Sequence, residues 1–188
     1  MSAATETVKE AGDPTKAREG ATPRPGSVES AVAGLKEALG EDWPPRLYRE
    51  RILSTRTRAH SVPTAPRNVG VEVQHTLLGI ELKVGRRRVS CPDLATARYL
   101  SVFARAGVSQ VAVPYDITKI SRLADELESA WQRLLLLADH QTRGRAATFR
   151  ARVRTAALKE VKREIEEAGA GTAVPVFNQN TRQRPQRI

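Results

Sequence analysis

Between residues 69 and 84 the chain alternates apolar and polar positions in two short runs. Val69, Val71 and Val73 interleave with Gly70, Glu72 and Gln74, and Ile80, Leu82 and Val84 interleave with Glu81 and Lys83. A period of two sends one set to a core and the other to solvent, so half-buried strands are predicted over 69–74 and 79–84. Residues 87–91, after the Gly85 turn, predict a third short strand. Val108–Val113, stopped by Pro114, predicts a fourth.

Spacings of three and four govern most of the rest. Val28, Val32, Leu35 and Leu39 form one stripe, with Ser27 placed to cap and Gly40 to stop a helix over 28–39. Trp43-Pro44-Pro45 is read as a break, and 46–54 as a two-turn helix carrying Leu47, Ile52 and Leu53. Ser90-Cys91-Pro92-Asp93 reads as a helix start in which Ser90 caps and Asp93 completes a capping box. That helix runs to about Ala106 and stops at Gly107. Ile120, Leu123, Leu127, Ala130, Leu134 and Leu137 make a seam of more than two heptads, and Phe149, Val153, Ala157, Val161 and Ile165 a second stripe.

These patterns predict an α+β fold. A small sheet in β-β-β-α-β order is followed by a C-terminal helical hairpin, with disordered termini. The organisation expected is a disordered 1–26, an N-terminal helical segment 27–54, and a Pro/Arg-rich exposed loop 55–68. An α/β core 69–116, the hairpin 117–168 and a flexible basic tail 169–188 complete it. The strand 108–113 follows a helix and is expected to join the same sheet by a crossover. The 120–137 seam suits either the hairpin's own packing or a homodimer.

Charge narrows the function. The chain of 188 residues carries a formal charge of +10, and 24 of its 31 basic residues are arginine. Residues 1–42 hold five basic and eight acidic side chains, so the positive charge lies in the remainder. Arginine's planar fork of donors matches phosphate two bonds at a time. A basic body of this kind points to nucleic acid as partner, with DNA favoured. The eight basic residues from Arg143 to Arg163, against the single acid Glu160, strengthen that reading. Arg143, Arg145, Arg150, Arg154 and Lys162 are the candidate phosphate contacts there, with Arg86, Arg87 and Arg88 after the strand 79–84. One cysteine, Cys91, excludes an internal disulfide, and the three histidines show no zinc-ligand spacing. No apolar run is long enough to span a membrane, and the N-terminus shows no apolar signal core, so a cytoplasmic protein without membrane partners is expected.

The polar face of the two strands carries the candidate chemistry. A hairpin bent near Thr76-Leu77 would set Glu72 nearly opposite Glu81, with Lys83 beside them. Two facing carboxylates repel unless a cation lies between them. A divalent metal, Mg²⁺ or Mn²⁺, would relieve that repulsion, polarise a phosphodiester and activate a water. Glu72 and Glu81 are then metal ligands, and Lys83, which would itself partly relieve the repulsion, holds the scissile phosphate or helps to generate hydroxide.

The order of these elements resembles the PD-(D/E)xK restriction-endonuclease-like fold, in particular archaeal Holliday-junction resolvases and VRR-type nucleases. The resemblance rests on Ile80-Glu81-Leu82-Lys83, the basic turn Gly85–Arg88, Val89–Pro92, the following helix and the strand Gln110–Val113, and spans residues 69–115. It implies Glu81 as a metal ligand and catalytic residue, Lys83 as the catalytic lysine, and Glu72 where the family places an aspartate. The expected function is nucleic-acid binding, combined with metal-dependent nuclease activity if that site is built. The alternative is a non-catalytic assembly or adaptor protein acting through its C-terminal helices.

Overall fold

The computed structural model describes residues 26–64 and 70–171. Ser27 caps α1 (Val28–Leu39) by accepting from the Ser30 N–H at 3.1 Å. A short 3₁₀ turn then leads to Trp43. Pro44 and Pro45 do not break the chain there. Proline at the first helical positions has a preset φ and no N–H to leave unpaired, so the pair starts α2 (Pro44–Leu47), which widens into a π turn over Tyr48–Ile52. The strands are β1 (Thr57–Ser61), β2 (Val71–Thr76), β3 (Gly79–Val84), β4 (Arg87–Cys91) and β5 (Gln110–Pro114). Three further helices, α3 (Leu94–Ala106), α4 (Ile117–Gln141) and α5 (Ala147–Ala168), complete an α+β fold.

β2, β3 and β4 form an antiparallel meander, and α3 packs across it. Leu82, Val84 and Cys91 on its inner face and Ala97, Leu100 and Phe103 of α3 are all buried. The cap of α3 is Asp93, which accepts from the Thr96 N–H at 2.6 Å, and not Ser90. β4 claims Ser90, because the ladder with β3 continues to Cys91.

The expected crossover is not formed. β5 pairs antiparallel with β1, in a two-stranded ribbon separate from the meander. The other edge of β5 is occupied by side chains. Ala112 gives its N–H to the Tyr48 hydroxyl at 2.8 Å, and its carbonyl accepts from the Tyr99 hydroxyl at 2.5 Å. Two phenols thus satisfy the backbone groups that a neighbouring strand would have taken. Thr57–Ser61, expected as exposed loop, is a strand for the reciprocal reason: it supplies the partner for β5.

The core does not begin at Val69, a residue outside those described. Leu35, Trp43, Tyr48 and Ile52 belong to the same buried cluster as the sheet and α3–α5. The helices α4 and α5 meet, with α4 lying mainly along α3 and α5 mainly along α1, so both are layers of the one core. Ile120, Leu123, Leu127, Ala130 and Leu134 are all buried within the chain. The seam offered for a homodimer through 120–137 is therefore filled internally as far as Leu134, while Leu137 at its end is half-buried beside the exposed Leu136.

The start of the expected tail is also packed. Tyr48 donates to the Gly169 carbonyl at 2.7 Å, and Gly171 (φ +79°) lies against Thr57 and Ala112. Most of the segment expected to be disordered at the N-terminus, and the tail beyond 171, lie outside the described residues.

Candidate nucleic-acid interface

The outer face of the meander carries Glu72, Gln74, Glu81, Lys83, Arg88 and Ser90. The hairpin turns at Leu77-Leu78, with Thr76 opposite Gly79, and this fixes the register of everything behind it. Glu72 faces Lys83, and Glu81 faces Gln74 on one side and Ser90 on the other. The predicted pairing of Glu72 with Glu81 is thus corrected by a shift of two residues, because the bend falls one position later than Thr76-Leu77. Lys83 Nζ lies 3.3 Å from Glu72 Oε2, which also accepts from Gln74 Nε2 at 2.8 Å. Arg88 Nη1 lies 3.5 Å from Glu81 Oε2.

Each acid therefore has its own cation, and the repulsion that called for a metal is relieved by Lys83 and Arg88. Among the described residues, no three His, Cys, Asp or Glu side chains come together as a metal-binding group. The arrangement does not fit a metal held between Glu72 and Glu81, and no step through such a metal follows from it. Cys91 is buried, and burial pushes its thiol pKa up, away from a nucleophilic thiolate.

The candidate phosphate contacts divide into two groups. Arg88 is engaged with Glu81, Arg154 with Asp139, and Lys162 with Glu166 at 3.7 Å. Arg86 and Arg87 at the β3–β4 turn, and Arg143, Arg145 and Arg150 at the α4–α5 corner, are exposed and pair with no carboxylate among the described residues. The corner is held by its own backbone. Thr142 returns its hydroxyl to the Ala138 carbonyl at 2.6 Å, the Arg145 N–H reaches Thr142 O at 3.0 Å, and Gly144 takes a φ of +78°. The Arg145 guanidinium rests over the Phe149 ring, 5.5 Å from its centroid, and lies close to Gly26 ahead of α1. Three guanidiniums without a paired carboxylate thus stand within eight residues, two in the turn and Arg150 in the first turn of α5.

Two polar clusters were not foreseen. Glu164 is only 3% exposed, and its carboxylate accepts from Lys36 Nζ at 2.6 Å, Arg49 Nη2 at 3.0 Å and the Trp43 indole N–H at 3.3 Å. It ties α5 to α1 and to the α2 turn. The signal lay in the spacing, since Glu164 stands three residues after Val161 and seven after Ala157, on the apolar stripe. The second cluster is the Tyr48–Ala112–Tyr99 node. Burial pushes both phenol pKa values up, that of Tyr99 furthest.

A shallow cleft of about 360 Å³ lies between α1 and α4, over Leu39 and the exposed Leu136, with the Asp42–Arg133 ion pair and His140 at its rim. No helix among the described residues is long and apolar enough to cross a membrane. Comparison with protein-family models, with curated proteins and with solved structures found no match to this chain.

Proposed function

We propose that this protein binds the sugar–phosphate backbone of nucleic acid, DNA in the first instance, through Arg143, Arg145 and Arg150 at the α4–α5 corner and Arg86 and Arg87 at the β3–β4 turn. The observation that carries this reading is the clustering of exposed arginines without a paired carboxylate, three of them within eight residues at the α4–α5 corner. Arg46, Arg98, Arg122, Arg133 and Arg163 are paired with acids. Among the described residues the five arginines of the proposal are not, and neither are the exposed Arg51, Arg56, Arg58, Arg105 and Arg152, so grouping along the chain rather than lack of a partner singles out the corner. Unpaired guanidiniums on a chain of net charge +10 form an electrostatic footprint for a polyanion.

Binding is favoured over hydrolysis. The residues proposed for catalysis, Glu81 and Lys83, and the proposed metal ligand Glu72 are engaged with neighbours across the sheet. The rival adaptor reading would have to use the outer faces of α4 and α5, since Ile120, Leu123, Leu127, Ala130 and Leu134 of the seam are buried within the chain.

Charge reversal separates these ideas. Arg143→Glu/Arg145→Glu/Arg150→Glu should abolish retention of a labelled duplex at low salt while leaving the unfolding midpoint in place. Retention equal to that of the wild type would overturn the proposal.

A further inference from the structure

Of the tyrosines, Tyr48 and Tyr99 are fully buried, whereas Tyr115 is 42% exposed. It follows β5 directly, and the ladder with β1 continues to it. The Tyr115 N–H donates to the Arg56 carbonyl at 3.1 Å, one step beyond the Thr57–Pro114 pair. Residues directly opposite each other across an antiparallel pair share a face, and so do positions two apart on one strand. Arg56, Arg58, Val113 and Tyr115 therefore stand on one face of the ribbon, where Val113 is buried and the other three reach solvent.

The Arg56 guanidinium lies over the Tyr115 ring, 5.2 Å from its centroid. Arg58 follows on the same face of the strand, about 7 Å along at a rise of roughly 3.3 Å per residue. Neither arginine pairs with a carboxylate among the described residues. The acid next to the ring in sequence, Asp116, is engaged on α4. Its carboxylate accepts from the Thr118 N–H at 3.1 Å and from the Thr118 hydroxyl at 2.6 Å, and lies 3.7 Å from Lys119 Nζ. The ring thus has two cations beside it whose charge is not spent within the fold.

We propose that the Arg56–Tyr115 stack seats one unpaired nucleobase, while Arg58 takes a phosphate of the same strand. The inference rests on the backbone-binding reading given above and names the structure bound, a duplex with a single-stranded end or branch. Unpaired bases stack on aromatic rings and on the planes of arginine guanidiniums, whatever their sequence. One ring and one guanidinium offer room for a single base, not for a track of bases. An acidic peptide would match the charges of Arg56 and Arg58 but would leave the ring without a planar partner.

Tyr115 precedes α4 and the arginine corner follows it, so the two clusters are separated by a helix of 25 residues, about 37 Å long. A duplex turn is about 34–36 Å, so a probe that can reach both needs more than one turn. The test uses the full chain and a duplex of about 20 base pairs with a short single-stranded overhang, whose first unpaired base is 2-aminopurine. Wild-type protein should quench the 2-aminopurine as it stacks, and should bind this probe about tenfold more tightly than the blunt duplex. Tyr115→Leu, which keeps the bulk but not the π face, should lose both the quench and the preference while binding the blunt duplex as before. Tyr115→Phe should retain both. Arg58→Ala should weaken overhang binding and make its salt slope shallower by about 0.7, the value for one single-strand phosphate. Binding by the wild type with neither quench nor preference would overturn the base seat and leave backbone binding intact. No binding of either probe by the wild type would overturn both. Retention of a polyglutamate peptide, lost in Arg56→Ala/Arg58→Ala, with no response from the overhang would assign the patch to an acidic protein and overturn the proposal.

Discussion

Lys83 stands directly across the sheet from Glu72, with its ammonium 3.3 Å from the carboxylate. This pairing turns the candidate catalytic lysine into the counter-charge of the candidate metal ligand. Both side chains are substantially exposed, and such surface pairs contribute little, about 0–1 kcal/mol. Lys83→Ala should therefore cost less than about 1 kcal/mol in urea unfolding and leave duplex retention nearly unchanged. A large drop in Mg²⁺-dependent cleavage in Lys83→Ala, with binding retained, would instead restore the nuclease reading.

Glu164 presents the opposite case. Its carboxylate is buried beneath Lys36, Arg49 and Trp43, so removing it leaves an indole N–H without an acceptor and two cations without their anion. Glu164→Ala should destabilise the fold by about 2–4 kcal/mol, discounted from a fully buried pair because Lys36 and Arg49 are each about half exposed. Glu164→Gln, which keeps an acceptor for Trp43, should recover part of that stability. Equal stability of Glu164→Ala and wild type would show that the cluster does not hold α5 in place.

The buried phenols give a pH dependence with a definite sign. Tyr48 and Tyr99 titrate above the ordinary tyrosine value of 10.0 in the folded chain, mainly because burial penalises the phenolate. The unfolded chain therefore releases these protons first. The stability they contribute is complete below that ordinary value and is lost as pH climbs from it toward the folded values. Tyr99→Phe should lower stability by about 1–2 kcal/mol at neutral pH, since the Ala112 carbonyl is left without its donor, and should show a shallower decline at alkaline pH. Chemical unfolding followed across pH 8 to roughly 11 measures both effects.

Much of the secondary structure was legible because local rules decided it. The stripe Val28–Val32–Leu35–Leu39 between Ser27 and Gly40 gave α1 as observed. The alternation at Val71–Gln74 and Ile80–Val84 gave β2 and β3. What failed depended on partners far along the chain. Thr57-Arg58-Ala59-His60-Ser61 has no large apolar residue, and it is a strand only because β5 lies beside it. The separation of the two sheets follows from Tyr48 and Tyr99 capping Ala112, contacts that span 64 and 13 residues. Register was the most damaging error for the site. A turn centred on Leu77-Leu78 violates the usual turn chemistry, so sequence placed the bend one residue early and put Glu72 against the wrong neighbour.

The α4 seam provides a check on assembly. Leu127 and Leu134 are each about 1% exposed within the single chain. Substituting either by alanine should lower stability by about 2–5 kcal/mol through the cavity it leaves, with no change in sedimentation coefficient before unfolding. A variant that stayed folded but halved its mass would show that the seam lies between two copies.

The measurement that bears most directly on the central claim is the salt dependence of duplex binding. A protein that neutralises one phosphate fewer has a slope of log K against log salt that is shallower by about 0.9. Compared with wild type, Arg143→Ala/Arg145→Ala/Arg150→Ala should give a slope shallower by about 2.7, with weaker binding at every salt concentration. An unchanged slope and affinity in a correctly folded triple variant would contradict the assignment of the α4–α5 corner as the nucleic-acid surface.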